Sequence, residues 1–196
     1  IAHDGDADRC LAVDHTGQVV DGDQIMAILA RSLKERGLLK DDTLVATVMS
    51  NLGLRLAMAE AGIRVEETAV GDRYVLERMA TLGASLGGEQ SGHIIFSDLI
   101  ATGDGLAAAL LVMRALGSEP PAGARPITKL PQRLENIAIA SPERLEAADG
   151  LWAAVRSAEA GLEGRGRVRV RPSGTEPLVR IMVEAPGEEE CDEVLS

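Results

Sequence analysis

Between Asp21 and Gly117 the sequence changes period repeatedly, each time across a link of a few residues, and this alternation limits the folds open to it. "DGDQIMAILARSLKERG" sets Ile25, Met26, Leu29 and Leu33 at helical spacing, with Gly37 as a stop. "TLVATVM" is a compact β-branched run, as a buried strand requires. Ser50 is placed to cap the next helix, "NLGLRLAMAEAG", which ends at Gly62. "IRVEETAV" is strand-like, and Asp72 can cap "RYVLERMATLG". A short strand at Ala84 to Leu86, the loop "GGEQSGH" and the apolar "IIF" follow. "TGDGLAAALLVMRALG" is a helix, apolar enough to be largely buried. Repeated β-α units with short links predict an α/β fold, a mostly parallel sheet with flanking helices.

The Pro- and Gly-rich stretch "GSEPPAGARP", Gly117 to Pro126, reads as a linker, and the order of elements changes beyond it. "QRLENIAIA" is a strand, and "SPERLEAADGLWAAVRSAEAG" is a helix capped by Ser141 with Pro142 at its first position. "GRVRVR" and "PLVRIMVEA" are alternating strands joined by one loop, which predicts a separate small α+β domain. The tail "PGEEECDEVLS" opens one more helix. The first residues, "IAHDGDADRCLAVD", read as the end of a strand, a loop and a new strand, so a piece of a longer protein is expected.

Composition removes several functions. A net charge of −11 argues against sequence-independent nucleic-acid binding, which needs a basic surface to displace counterions. Aromatics make up only 2%, so stacking platforms for bases are scarce. No apolar run reaches membrane-spanning length and no signal-peptide pattern opens the chain. Cys10 and Cys191 lie far apart without metal-type spacing, so a reducing, cytoplasmic setting is expected.

Four loops at strand ends carry the chemistry. "DGDADR" places Asp4, Asp6 and Asp8 on alternate positions, followed by Arg9. In an extended segment these carboxylates face one side and repel, which is tolerable if the segment is instead a solvated turn or if a cation sits between them. A calcium EF-hand is excluded, because Arg9 stands where the turn glycine belongs and His15 where the bidentate Glu belongs. Mg²⁺, a hard cation that prefers oxygen, suits the set, as does a plain acidic turn. In "RPSGTEP", Gly174 lets the backbone fold round an anion, with hydroxyls from Ser173 and Thr175. Arg171 offers a fork that matches phosphate, and Arg180 follows on the next strand. A Pro-Gly hairpin turn is the plainer reading. In "GGEQSGH", Glu89, Ser91 and His93 alternate and can present a carboxylate, a hydroxyl and an imidazole to sugar hydroxyls. His93 is a proton-transfer candidate there, and equally a buried structural residue. In "VGDRYV", Asp72 and Arg73 open a helix, as a cap and a solvated side chain would.

Together, in this order, "DGDADR", "VGDRYV", "GGEQSGH" and "RPSGTEPLVR" resemble the α-D-phosphohexomutases over nearly the whole chain. The wording "GEQSGHIIF", "ATGDGL" and "RPSGTEPLVRIMVEA" is most similar to the branch that handles amino-sugar phosphates. That resemblance implies interconversion of glucosamine 6-phosphate and glucosamine 1-phosphate through a phosphoserine and a bisphosphate intermediate. A mutase acting on mannose or glucose phosphates, or a non-catalytic phosphosugar-binding piece, would use the same loops.

Residue by residue, the resemblance assigns Mg²⁺ to Asp4, Asp6 and Asp8, and catalytic positions to Arg9 and His93. It assigns sugar contacts to Glu89 and Ser91, with Asp72 and Arg73 helping to orient the ring. Phosphate contacts fall to Arg171, Ser173, Gly174, Thr175 and Arg180. It also implies domains: 1–20 the tail of a second domain, 21–118 a third α/β domain, and 125–196 a fourth α+β domain. The donor loop of the family, Ser-x-Ser-His-Asn-Pro, has no counterpart in these residues, so a piece without the phosphoryl donor is expected. The implied partner is a phosphosugar, with no nucleic acid and no membrane. The oligomeric state is open, a homodimer being one form.

Overall fold

The computed structural model of the chain describes residues 1–100, 102–117, 126–139, 145, 147–173 and 177–196. They form two compact units, Ile1–Thr128 and Lys129–Ser196. Most of the expected linker, the proposed cap at Ser141 with Pro142, and residues Gly174 and Thr175 lie outside the described residues.

The first unit opens with a three-stranded antiparallel sheet, β1 (Ala2–His3), β2 (Cys10–Val13) and β3 (Val19–Val20). Helix α1 (Gly22–Glu35) follows, its first turn capped by Asp21, which accepts from the Gln24 N–H. Its first nine residues are all buried. Next come β4 (Thr43–Thr47), α2 (Leu52–Glu60), β5 (Arg64–Thr68), α3 (Asp72–Leu82), β6 (Leu86–Gly88), β7 (Ile94–Phe96) and α4 (Gly105–Leu116). The sheet runs β5-β4-β6-β7, with β4 parallel to β5 and β6, and β7 antiparallel at the edge.

Alternation along the strands sorts the core into two layers. Leu44, Ala46, Leu86, Ile94 and Phe96 pack with Ile25, Met26, Leu29, Leu54 and Met58 from α1 and α2. Val45 and Ile95 point the other way, onto Val75 and Met79 of α3. The sheet is thus sandwiched between helices, as the alternating periods require.

Three expectations need correction. Asn51, not Ser50, caps α2, accepting from the Gly53 N–H. Gly71, not Asp72, occupies the cap position of α3, so Asp72 falls in the first turn. Helix α4 is not largely buried. Ala108, Ala109 and Val112 face the core, while Leu106, Leu110 and Met113 are 60%, 59% and 56% exposed.

The second unit has β8 (Gln132–Ala138), α5 (Asp149–Gly161), β9 (Arg167–Pro172), β10 (Leu178–Glu184) and α6 (Glu188–Leu195), with an antiparallel sheet ordered β8-β10-β9. Val168, Val170, Ile181 and Val183 on one face pack with Val155, Ala158, Cys191 and Leu195 from the two helices. Across β9 and β10, Arg167 stands opposite Glu184, Nε to Oε2 2.7 Å, with both side chains buried.

Candidate functional site

The aspartate loop is a turn rather than an extended strand. The Ala7 N–H donates to the Asp4 carbonyl at 3.2 Å, and Ala7 adopts a left-handed φ of +56°. Folding the backbone, rather than strand alternation, gathers the carboxylates. One oxygen from each of Asp4, Asp6 and Asp8 lies within 4.8 Å of the others. Arg9 answers part of their charge, with Nε 2.5 Å from Asp4 Oδ2 and 3.5 Å from Asp8 Oδ1. Desolvation alone would raise the Asp4 pKa, but hydrogen bonds from the Arg9 guanidinium and backbone hold it below its ordinary value. The same bond to Asp4 pushes the Arg9 pKa up. Three carboxylates this close, with oxygen donors only, fit a hard divalent cation.

The loop after β6 is likewise a turn, closed by the Gly92 N–H on the Glu89 carbonyl at 3.0 Å and by the Glu89 N–H on the His93 carbonyl at 2.9 Å. It meets the aspartate loop through backbone: Cys10 N–H donates to Gly92 C=O at 3.0 Å, and Arg9 bridges to His93 as an antiparallel pair. The His93 Nδ1 lies 3.1 Å from Asp8 Oδ2. Glu89 Oε1 accepts from the Gly71 N–H at 3.0 Å, which ties in the loop before α3. A cavity of about 290 Å³ is lined by Asp4, Asp6, Asp8, Arg9, Gly71, Asp72, Glu89, Ser91 and His93. A second cavity, about 570 Å³, shares Glu89 and Ser91 and reaches Asp21, Thr47 and Met49. Both take in the loops that follow β5 and β6, and the second reaches the last residue of β4, the usual ligand position of an open α/β sheet.

Of the sequence candidates in this unit, only Arg73 is missing from the lining. Its side chain is 80% exposed and pairs with Glu77 one turn on, at 2.8 Å. In the second unit, Arg171 of β9 stands opposite Arg180 of β10. Ser173 begins the loop between them, its N–H donating to the Leu178 carbonyl at 2.9 Å. Like charges directly opposite each other on a sheet are destabilising and attract an anion. Arg169 shares their face, two residues from Arg171; the alternation in "RVRVR" signals it.

Sequence reasoning passed over three supports. Asp23, fully buried, accepts from the Asn51 N–H at 2.8 Å and from Gln90 Nε2 at 3.2 Å, joining two helix starts to the loop after β6. Gly22 donates to the Gln90 carbonyl, and a Cβ there would lie 2.1 Å from the Glu89 carbonyl oxygen. Gly105 donates to the Ala7 carbonyl at 3.0 Å and seats α4 under the aspartate loop. Gly22→Ala is therefore expected to cost about 1–3 kcal/mol, the usual cost of overpacking, because backbone must move. Thermal denaturation by circular dichroism measures it; an unchanged midpoint would mean that the loop yields freely.

Comparison with known proteins bears on the whole chain. The phosphoglucosamine mutase of Leifsonia xyli subsp. xyli is 58% identical over 192 residues, 96% of this chain and 42% of that protein. That of Frankia alni is 59% identical over 188 residues, 94% of this chain and 41% of that protein. The chain thus spans less than half the length of these relatives. A crystal structure of Aspergillus fumigatus N-acetylphosphoglucosamine mutase in complex with GlcNAc-6P and magnesium shares the fold, with a TM-score of 0.78 and 24% identity. The match covers 97% of this chain and 49% of that one. The model for phosphoglucomutase/phosphomannomutase alpha/beta/alpha domain III matches residues 21–133. The model for the C-terminal domain of the same proteins matches residues 134–196. With the two models together matching residues 21–196, the chain belongs to the phosphoglucomutase/phosphomannomutase family.

Proposed function

We propose that this chain supplies the metal, sugar and phosphate loops of a cytoplasmic phosphoglucosamine mutase, which interconverts glucosamine 6-phosphate and glucosamine 1-phosphate through a phosphoserine and a sugar bisphosphate. The observation that carries the reading is the single cleft in which three carboxylates, Arg9, Glu89, Ser91 and His93 meet. Asp4, Asp6 and Asp8 would hold Mg²⁺, and the ion would supply positive charge to a transferring phosphoryl group. Arg9, fixed against Asp4 and half exposed, offers its remaining guanidinium N–H groups to phosphate oxygens. Glu89 accepts from, and Ser91 exchanges hydrogen bonds with, sugar hydroxyls. Gly71 holds Glu89 in place for this, and Asp72 adds a second acceptor at the rim. In the second unit, Arg171, Ser173 and Arg180, with Gly174 and Thr175 outside the described residues, take a phosphate that is not being transferred. The chain is read as part of a longer enzyme, with residues 1–20, 21–118 and 125–196 as its successive domain pieces. Its described residues include no helix long and apolar enough to cross a membrane.

A charge-assisted hydrogen bond contributes about 1.5–3 kcal/mol. Arg171→Ala should therefore weaken glucosamine 6-phosphate binding about tenfold or more, and leave glucosamine itself unaffected. Isothermal titration of both ligands into the wild-type and variant chains reads this directly. Equal losses for both would make the loop structural and remove the phosphate assignment.

A further inference from the structure

We infer that Arg169 is a third cationic contact for the phosphate group assigned to Arg171 and Arg180, reaching it from one pleat further along β9. The inference rests on the phosphate reading of those two residues. Strand register brings the three side chains together. Val168, Val170, Ile181 and Val183 take the helix-covered face of the sheet. Arg167, Arg169 and Arg171 of β9 therefore share the other face with Arg180, Met182 and Glu184 of β10. Arg171 stands opposite Arg180, and Arg169 stands opposite Met182. Arg169 is thus the diagonal neighbour of Arg180, a separation of about 7–8 Å that long side chains span.

Charge on this face is one-sided. On β8 the same face continues as Gln132, Leu134 and Asn136, none of them charged. Glu184 is the one carboxylate among these strand residues, and Arg167 pairs with it at 2.7 Å. The face carries four arginines against that glutamate, although the chain as a whole has a net charge of −11. These cations do not stand in open water. Arg169, Arg171 and Arg180 are all half-buried, and Nε of both Arg169 and Arg180 is shielded from solvent. Met182, opposite Arg169, is 2% exposed. Charges so placed are screened little by salt, so a further arginine adds to the pull on an anion. A phosphate monoester suits the set, with a charge of about −1.5 to −2 at neutral pH and acceptor oxygens that match planar forks. Because β9 is an edge strand, the plainer role for Arg169 is to block further strand pairing.

Calorimetric titration of inorganic phosphate and of glucosamine 6-phosphate into this chain separates the two roles. Arg169→Met keeps the apolar stem, removes the charge, and should weaken both ligands about tenfold. Arg169→Lys keeps the charge without the fork and should fall between Met and wild type. Arg133→Met is the control: Arg133 pairs with Glu188 and Asp192 of α6, so the same loss of charge there should leave both affinities unchanged. An Arg133 variant that loses as much as the Arg169 one makes the effect general and overturns the inference. If Arg171→Ala weakens phosphate binding and Arg169→Met does not, the third contact falls and the phosphate site stands. If neither does, the phosphate reading falls with it. Melting followed by Trp152 fluorescence shows whether each variant is folded. Should Arg169→Met fail to fold, arginine Nε–Hε NMR signals of the wild-type chain decide. An Arg169 signal, identified by its loss in the Lys variant, that moves on adding phosphate supports the inference. One that stays still while the Arg171 signal moves overturns it.

Discussion

Asp6→Asn is expected to remove the metal-dependent stabilisation of this chain while leaving its metal-free stability unchanged or slightly higher. The two directions follow from one fact: Asp4, Asp6 and Asp8 hold carboxylate oxygens within 4.8 Å of one another. Without a cation, neutralising one of three like charges relieves repulsion, and Asp6 is exposed, so no packing is lost. With a cation, the same change removes a ligand. A pair of unit charges about 4 Å apart is worth about 4 kcal/mol at an effective dielectric of about 20. Even a part of that, screened by solvent at an exposed side chain, lowers affinity by at least about tenfold. A ligand present at about 100 times its Kd raises stability by about 2.7 kcal/mol. Melting curves with and without Mg²⁺ therefore read both effects. A wild-type chain whose midpoint ignores Mg²⁺, or a variant that melts lower without metal, would make the loop a structural turn.

A second large effect is expected in the other unit. Glu184 is fully buried and Arg167 nearly so, paired at 2.7 Å across β9 and β10. Arg167→Met would remove the cation that faces Glu184 across the strands, and breaking one side of a buried pair costs about 3–5 kcal/mol. In a unit this small each kcal/mol shifts the midpoint by about 4–8 °C, so the second unit should be unfolded or close to it at 37 °C. Replacing both members by Met and Leu should recover much of the loss, because an apolar pair has no charge to desolvate. Trp152, the single tryptophan, sits on α5 with its Nε1 donating to the Leu145 carbonyl at 2.9 Å, so its fluorescence reports this unit alone. A variant that melts within about 1 kcal/mol of the wild type would mean that water reaches Glu184 and the pair is not the keystone of the sheet.

The elements of the first unit were legible because their signals are local. Helical spacing at Ile25, Met26 and Leu29, and the β-branched run at Thr43–Thr47, each answer to a period that neighbours in sequence reveal. Caps were harder, since Ser50 and Asn51 are both good capping residues side by side. The choice fell to the one whose oxygen reaches the Gly53 N–H. The exposure of Leu106, Leu110 and Met113 was not legible at all. Apolar content says that a helix has a face to bury, not which neighbour covers it.

The candidate site shows the same division. Its chemistry-bearing side chains stand in short motifs and could be named one by one. Strand alternation does not gather either cluster, because both loops are tight turns, and a left-handed Ala7 carries no sequence signature. Gly22, Gly103 and Gly105 were missed for another reason. Their value lies in close approach to the Glu89 carbonyl, the His93 ring and the aspartate loop, residues tens of positions away in the chain. Asp23 is similar: an acidic residue in a first helical turn looks like ordinary dipole compensation until its hydrogen bonds to Asn51 and Gln90 are seen.

The central claim, that the cleft between the aspartate and sugar loops receives a phosphosugar beside a metal, can be met by one titration. Amide NMR spectra of the chain are followed as glucosamine 6-phosphate is added, with and without Mg²⁺. Shifts centred on Gly71, Glu89, Ser91 and His93 that grow when Mg²⁺ is present are the predicted result. Spectra in which those amides stay still, or in which inorganic phosphate alone reproduces every shift, would contradict it.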